Sequence, residues 1–287
     1  MKTRLAGTRP MPAPARAVRP LRAYASVWKL RMLQGLQYRA AALAGMATQL
    51  FWGFMFVMIY DAFYSHATVA PPMSLRELVS YVWLQQAFLA LIMLWFRDNE
   101  LFRLITTGNI AYELCRPCGI YGFWYAKLLA MRLSVALLRC FPLLLVVVFL
   151  PQPYGLMPPP DAAQFLLFLA ALLLGLLVLV AISMLIYASV FITMSPAGSL
   201  LLFGVSGEFF MGAIIPVPLM PEWLQRVANA LPFRWCADFP FRVYSGHVSA
   251  EEALAGLLVQ AFWLAVLVAL GKRAFDRALA RVTVQGG

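Results

Sequence analysis

The chain has 287 residues, 63% of them hydrophobic and only 12% charged, with a formal net charge of +11 and a mean hydropathy of +0.79. A soluble domain is roughly half apolar and about a quarter charged. These values exclude an ordinary water-soluble protein and describe a chain mostly dissolved in lipid.

Residues 1–20, MKTRLAGTRPMPAPARAVRP, are basic and proline-rich and lack the apolar middle of a secretory signal. A disordered basic tail is expected there. Residues 21–39 place Tyr24, Val27, Trp28, Met32 and Leu36 at near-helical spacing among Lys29, Arg31 and Arg39. That pattern suits an amphipathic helix lying in the inner membrane interface.

Six apolar stretches follow, at about 40–60, 78–96, 128–150, 162–191, 199–216 and 254–270. A helix needs about 20 such residues to cross the hydrocarbon. Lipid cannot satisfy free backbone groups, and long apolar runs do not alternate as barrel strands do, so helices are expected. Arg132 and Arg139 interrupt the third stretch. Nine basic residues from Lys2 to Arg39, and no acidic one, precede the first stretch. Arg97, Arg103, Arg116 and Lys127 follow the second, and Lys272, Arg273, Arg277 and Arg281 follow the sixth. Of the 23 Lys and Arg residues, only Arg76, Arg226, Arg234 and Arg242 fall on the opposite side. Basic loops stay in the cytoplasm. The sequence therefore predicts an all-α integral membrane protein of six transmembrane helices, with both termini inside and a basic cytoplasmic tail at 271–287. The excess charge is a topology signal in contact with anionic lipid, not a nucleic-acid footprint.

The inner loop after the second stretch reads RDNELFRLITTGNIAYELCRPCGIYGFWYAK. Asp98–Thr106 is expected to be helical, with Leu101, Leu104 and Ile105 on one face. Thr107, Gly108 and Asn109 break it, and a second short helix runs from about Ile110 to Arg116 and stops at Pro117. The residues alone leave two readings of this elbow, an interfacial helix or a docking element for a cytoplasmic partner. Cys115 and Cys118 lie inside it. A structural zinc site needs four ligands, and Cys140, Cys236, His66 and His247 fall at other places, so these are read as incidental cysteines.

Gly204-Val205-Ser206-Gly207 matches a serine-protease pattern, but no histidine is placed to serve as its base. Small residues in a span are read as helix contacts. Gly271-Lys272 is followed by Arg273 and has no glycine-rich loop before it, so no phosphate-binding loop is present. No catalytic, cofactor-binding or metal-ligating residue is expected.

Glu208 lies about 15 Å along the fifth stretch at 1.5 Å per residue, and Arg139 lies at similar depth in the third. Each is costly in lipid alone, so one reading has both facing the interior as a pair; the other has Arg139 snorkelling to the inner interface and Glu208 near the boundary of a span that starts later. The following segment, GAIIPVPLMPEWLQRVANALPFRWCADFPFRVYSG, is apolar for an outer loop and carries Pro216, Pro218, Pro221, Pro232 and Pro240. Residues 216–221 cannot form a regular helix, whereas Glu222–Ala230 can. Irregular backbone at membrane depth must be covered by protein or line a cavity. This segment is expected to be re-entrant, with an outer amphipathic cap as the alternative.

These features together resemble the membrane subunit of an ATP-binding-cassette exporter of the ABC-2 permease type. The run ITTGNIAYELCRP resembles that family's glycine-then-LxRP pattern. SGEFFMGAIIPVPLMPEWLQRVANALPF is similar to its small-residue and phenylalanine run followed by IP, a spaced proline and LPF. The basic amphipathic end, RALARVTVQGG, also fits. The resemblance implies half of a transporter in a bacterial cytoplasmic (inner) membrane. A second permease half, identical or homologous, would complete the pathway, and two ATPase subunits carrying ATP and Mg would dock beneath. It implies an ATPase-coupling helix at Arg103, Leu104, Thr107, Gly108, Asn109, Ile110, Glu113, Arg116 and Pro117. It places Glu208, Phe209, Phe210, Met211 and Arg139 along the pathway, although Glu208 stands where the family is usually apolar or small. Pro216, Pro218, Pro221, Leu231, Pro232 and Phe233 would form an outer gate. An apolar or amphipathic substrate is expected, because few polar groups are available to recognise a hydrophilic solute. The alternative is an integral-membrane enzyme acting on lipid through outer residues such as Asp61, His66, Asp161, Asp238, His247 and Glu251.

Overall fold

The computed structural model describes residues 20–37, 39–116 and 118–281. The tail at 1–19, Tyr38, Pro117 and residues 282–287 lie outside the described residues. Every regular element among the described residues is helical. In chain order these are α1 (Pro20–Gln37), α2 (Arg39–Ser65), α3 (Leu75–Ala87), α4 (Leu89–Ile92), α5 (Asn99–Thr106), α6 (Ile110–Leu114), α7 (Ile120–Val148), α8 (Ala162–Thr193), α9 (Pro196–Phe210), α10 (Glu222–Ala230), α11 (Asp238–Tyr244) and α12 (Ala250–Leu279).

Four helices are long and apolar enough to cross a membrane: Ala42–Ser65, Ile120–Val148, Ala162–Thr193 and Ala250–Leu279. They correspond to the first, third, fourth and sixth expected spans. The third begins at Ile120 rather than near 128, and the sixth continues past 270 to Leu279. Two of the six expected spans take another form. The second is split. α3 ends at Phe88, one short turn forms α4, and the chain is not helical from Met93 to Asp98. Every α3 residue from Leu78 to Ala87 is buried, so this element faces protein and not lipid. The fifth is α9, which stops at Phe210 instead of 216. Its 15 residues span about 22 Å at 1.5 Å each, less than the roughly 30 Å of a bilayer core.

α8 is the central element. It is buried along most of its length and packs on α12, α11, α9, α7, α5 and α4. Its run of apolar residues on every face reflects this position, since a helix apolar all round is a buried one. Local signals set the helix starts. Asp161 accepts from the Gln164 amide at 2.6 Å at the head of α8. Ser74 with Glu77 and Ser249 with Glu252 form reciprocal capping boxes at α3 and α12.

The helix expected at 21–39 is α1. It runs alongside α7 and parallel to it, from Tyr24 beside Gly122 to Gly35 beside Ser134. Val27 is buried, while Leu30 and Leu33 are exposed.

Candidate functional site

The inner elbow is built on a polar knot. Asp98 caps α5 by accepting from the Glu100 amide at 2.9 Å. Its own backbone is fixed to α8, because the Asp98 amide donates to the Tyr187 hydroxyl at 2.9 Å and that hydroxyl donates to the Asp98 carbonyl at 3.1 Å. Lys127 of α7 lies 3.2 Å from the Asp98 carboxylate and 2.8 Å from that of Glu100. Arg31 of α1 reaches the same two carboxylates at 3.5 and 2.5 Å. The hydrogen bond from Lys127, followed by that from Arg31, outweighs burial and holds the Glu100 carboxyl at about 2. Two cations and two anions from three helices thus lock α5 in place. A cleft of about 460 Å³ lies over this knot, lined by Arg31, Glu100, Glu113, Arg116, Phe123 and Lys127 among others.

Leu101, Phe102 and Ile105 turn inward from α5, with Phe102 against Tyr187 at 4.4 Å between ring centroids. The chain then reverses at Gly108, whose φ of 75° favours glycine. In α6, Glu113 is buried, accepting from Trp124 Nε1 at 3.2 Å and pairing with Arg116 at 2.9 Å. Five of the expected coupling residues, Arg103, Thr107, Gly108, Asn109 and Arg116, lie on the exposed side, and Leu104 is half-buried. Ile110 and Glu113 are buried instead and hold the elbow to the body. Pro117 lies outside the described residues. Tyr112 and Leu114, absent from the expected set, are exposed here. The two-residue offset of Tyr112 from Ile110 on a short helix was the signal that could have sorted it; no such signal marks Leu114, which is four residues from Ile110. Cys115 and Cys118 are free thiols, and no metal-ligating cluster occurs among the described residues.

Arg132, interpreted above as a topology charge, is fully buried. Its guanidinium donates to the carbonyls of Ala90 at 3.0 Å, Met93 at 2.8 Å and Phe96 at 2.6 Å. Those carbonyls belong to the split end of the second span. The arginine supplies the donors that a continuous helix would have provided. The expected Arg139–Glu208 pair does not form, and no ion pair joins them among the described residues. Arg139 sits instead 5.8 Å from the Phe96 ring centroid and near the α2 backbone at Gly45. Glu208, on the largely exposed α9, is half-buried.

The outer segment is fixed mainly through its backbone. Met211 caps the end of α9, and Gly212 takes a φ of 80°. A Cβ there would come 2.4 Å from the Tyr81 hydroxyl. Tyr81 donates to the Gly212 carbonyl at 3.0 Å, Gln85 to Ala213 at 2.5 Å and Tyr60 to Ile214 at 3.2 Å. Residues 216–221 form no regular α-helix, as expected. Pro216 leads into a single tight turn over Val217–Leu219, and Pro221 precedes α10. Phe209, Phe210 and Leu224 pack with Val217, Met220 and Ala228 as a small apolar cluster. Met211, Pro216 and Pro232 are buried, whereas Pro218, Leu231 and Phe233 are half-buried and Pro221 is exposed.

At the centre of this segment Asp238 has no exposed surface. One carboxylate oxygen accepts from the Val217 amide at 3.1 Å and faces the Tyr81 hydroxyl at 3.5 Å. The other lies 3.3 Å from Arg242 and 3.7 Å from Arg234. The segment also dips between the long helices. A Cβ on Gly175 of α8 would be 2.9 Å from the Cys236 carbonyl, and Gln260 of α12 donates to the Trp235 carbonyl at 2.7 Å. Gly175 lies about 20 Å and Gln260 about 15 Å along their helices at 1.5 Å per residue. The turn at Arg234–Cys236 therefore lies well inside the ends of α8 and α12. The candidate enzyme residues are dispersed. Asp61 faces the Tyr154 hydroxyl at 3.2 Å, His247 faces Glu77 at 3.7 Å, and Asp238 is committed to its arginines.

This arrangement defines a multi-pass helical membrane protein with an exposed elbow at one end and a buried cap at the other. Residues 50–286 match the family described as ABC-2 family transporter protein, and the chain belongs to that family. Membership makes it the membrane permease of an ABC transporter, a transport subunit associated with an ATP-binding-cassette partner. No curated protein and no solved structure matches the chain.

Proposed function

We propose that this chain is one permease half of an ATP-driven exporter that moves an apolar or amphipathic substrate across a cytoplasmic membrane. Lipids, glycolipids, drug-like molecules and lipophilic peptides are the substrate classes that fit. Six membrane passages with both termini inside are assigned, four through the long helices, one through the split α3–α4 and one through the short α9. The basic residues concentrated at the inner ends support this orientation. Two ATPase subunits dock on the elbow, and a second permease half, identical or homologous, completes the pathway.

One observation carries the reading. The elbow is rigidly tied to α1, α7 and α8 yet keeps Arg103, Thr107, Asn109 and Tyr112 exposed. A push on α5 and α6 is therefore delivered directly to long helices. ATP-driven closure of the docked subunits would tilt α7 and α8 and open the path past Phe209, Phe210 and Met211, with 216–233 as its outer gate.

The test is affinity purification of the tagged chain in mild detergent from native cells, with mass spectrometry and vanadate-sensitive ATP hydrolysis on the same sample. A stoichiometric ATP-binding-cassette subunit with that activity is expected. A chain that repeatedly comes out alone and inactive overturns the reading.

A further inference from the structure

A second polar feature of the outer segment is not used by the transport reading. Arg234 and Arg242 line a cleft of about 350 Å³ between α11 and the outer part of α12. Its walls include Trp235, Phe239, Ala255 and Val259. Two guanidiniums share one fully buried carboxylate, that of Asp238, at 3.7 and 3.3 Å. Their side chains are only 12% and 17% exposed. Arg234 makes no hydrogen bond of ordinary length among the described residues, and Nε of Arg234, Nε of Arg242 and Nε1 of Trp235 are all buried without an acceptor.

A buried cation without a full counter-charge is costly, and an unpaired buried donor adds to that cost. Two carboxylates outside the buried cluster are already engaged. Glu252 at the rim accepts from the Ser249 amide at 3.0 Å and its hydroxyl at 2.9 Å as a helix cap. Glu77 faces His247 at 3.7 Å. Arg234, Arg242 and Trp235 thus wall one cleft with three buried donors that have no acceptor, and the one carboxylate in its lining, Glu252, serves as a helix cap.

The geometry points to a binding site for the anionic headgroup of an amphiphile, of the phosphate-bearing class. Guanidinium forks suit phosphate oxygens. The apolar surface continues from Val259 along α12 to the exposed Leu258 and Phe262, in the direction a tail would take toward the bilayer centre. An interfacial head and a buried tail both find complementary surface. The site stands on this geometry and does not depend on the transport reading, since none of its lining residues comes from α9 or the elbow.

Native mass spectrometry of the full chain in mild detergent tests it, with three probes: phosphatidylglycerol, phosphatidylcholine and inorganic phosphate. Two variants are compared with the parent chain. Arg242→Gln removes donors, and Ala255→Trp fills the mouth from an exposed α12 position while leaving Arg234, Asp238 and Arg242 in place. Phosphatidylglycerol should bind the parent roughly tenfold more tightly than either variant, the equivalent of one charge-assisted hydrogen bond. It should also bind more tightly than phosphatidylcholine. Should Arg242→Gln not fold, Ala255→Trp carries the comparison alone. Equal phosphatidylglycerol affinity in the parent and Ala255→Trp overturns the site. Inorganic phosphate binding as tightly as phosphatidylglycerol overturns the amphiphile assignment and leaves a free-anion site.

Discussion

The inner elbow and the outer cap are both short helices hung between longer ones, and both centre on charge, but they are held in different ways. At the elbow four charged groups from α1, α5 and α7 pair completely, and Glu100 is half-exposed. At the cap a single buried carboxylate serves two arginines, and backbone carbonyls at 212–214 are bound by side chains of α2 and α3. Water screens the half-exposed Glu100 carboxylate, so its pairs contribute little each, whereas Lys127 and Asp98 are buried together. The second arrangement is sheltered, so removing one partner leaves an unpaired buried charge. The difference teaches where stability and coupling reside. The cap governs whether this part of the chain folds. The elbow can be altered on its exposed side with the fold intact.

That division can be broken or sharpened by substitution. The largest effect is expected at Asp238→Ala, which should cost about 3–5 kcal/mol by stranding two guanidiniums. Thermal unfolding in detergent should show it as a large loss of melting temperature; a loss no greater than that of an elbow variant would erase the distinction. Gly212→Ala should come next. A left-handed non-glycine residue costs about 1–2 kcal/mol, and its Cβ would also crowd the Tyr81 hydroxyl. The same melt measures it, and Tyr81→Phe in the same background should recover part of the loss by removing the crowding oxygen.

Smaller still is the acid sensitivity of the elbow. Glu100 is held at about 2 against an ordinary 4.5, chiefly by Lys127. Its contribution is therefore complete above pH 4.5 and fades as pH falls toward 2. Because Glu100 is half-exposed, screening limits that contribution to about 1 kcal/mol or less. Melts of the parent and Glu100→Gln should converge across that window. Arg103→Glu should leave the melt within about 0.5 kcal/mol of the parent, as exposed substitutions do, while abolishing transport-coupled ATP hydrolysis. Cys115→Ala with Cys118→Ala should change neither, and a loss of transport in that double variant would contradict their reading as incidental.

The sequence reading located elements better than it located partners. The break at Gly108, the helix beginning about Asp98 and the helix at Glu222–Ala230 were legible, because turn glycines, helical spacing and prolines act locally. The apolar composition of the 211–236 segment pointed to an element covered by protein, and its turn at Arg234–Cys236 packs between α8 and α12. What escaped was every contact whose acceptor is a backbone carbonyl. Arg132 looked like a topology charge because no side-chain pattern announces the free carbonyls of Ala90, Met93 and Phe96. The split of the second span was hidden for the same reason. Asp238 looked like one of several scattered outer acids, since its partners Val217 and Tyr81 lie 21 and 157 residues away. Arg139 and Glu208 were matched by depth alone, and depth does not fix the direction a helix face points.

The central claim is that the elbow is where the ATP-binding-cassette partner sits. Replacing Tyr112, which is 74% exposed, with photoreactive p-benzoylphenylalanine and irradiating native membranes tests it most directly. Phe149, 80% exposed at the other end of α7, serves as the control position. The account predicts a cross-linked adduct between position 112 and an ATP-binding-cassette subunit, and none from position 149. Adducts from position 112 that contain only lipid, or that match those from position 149, would contradict it.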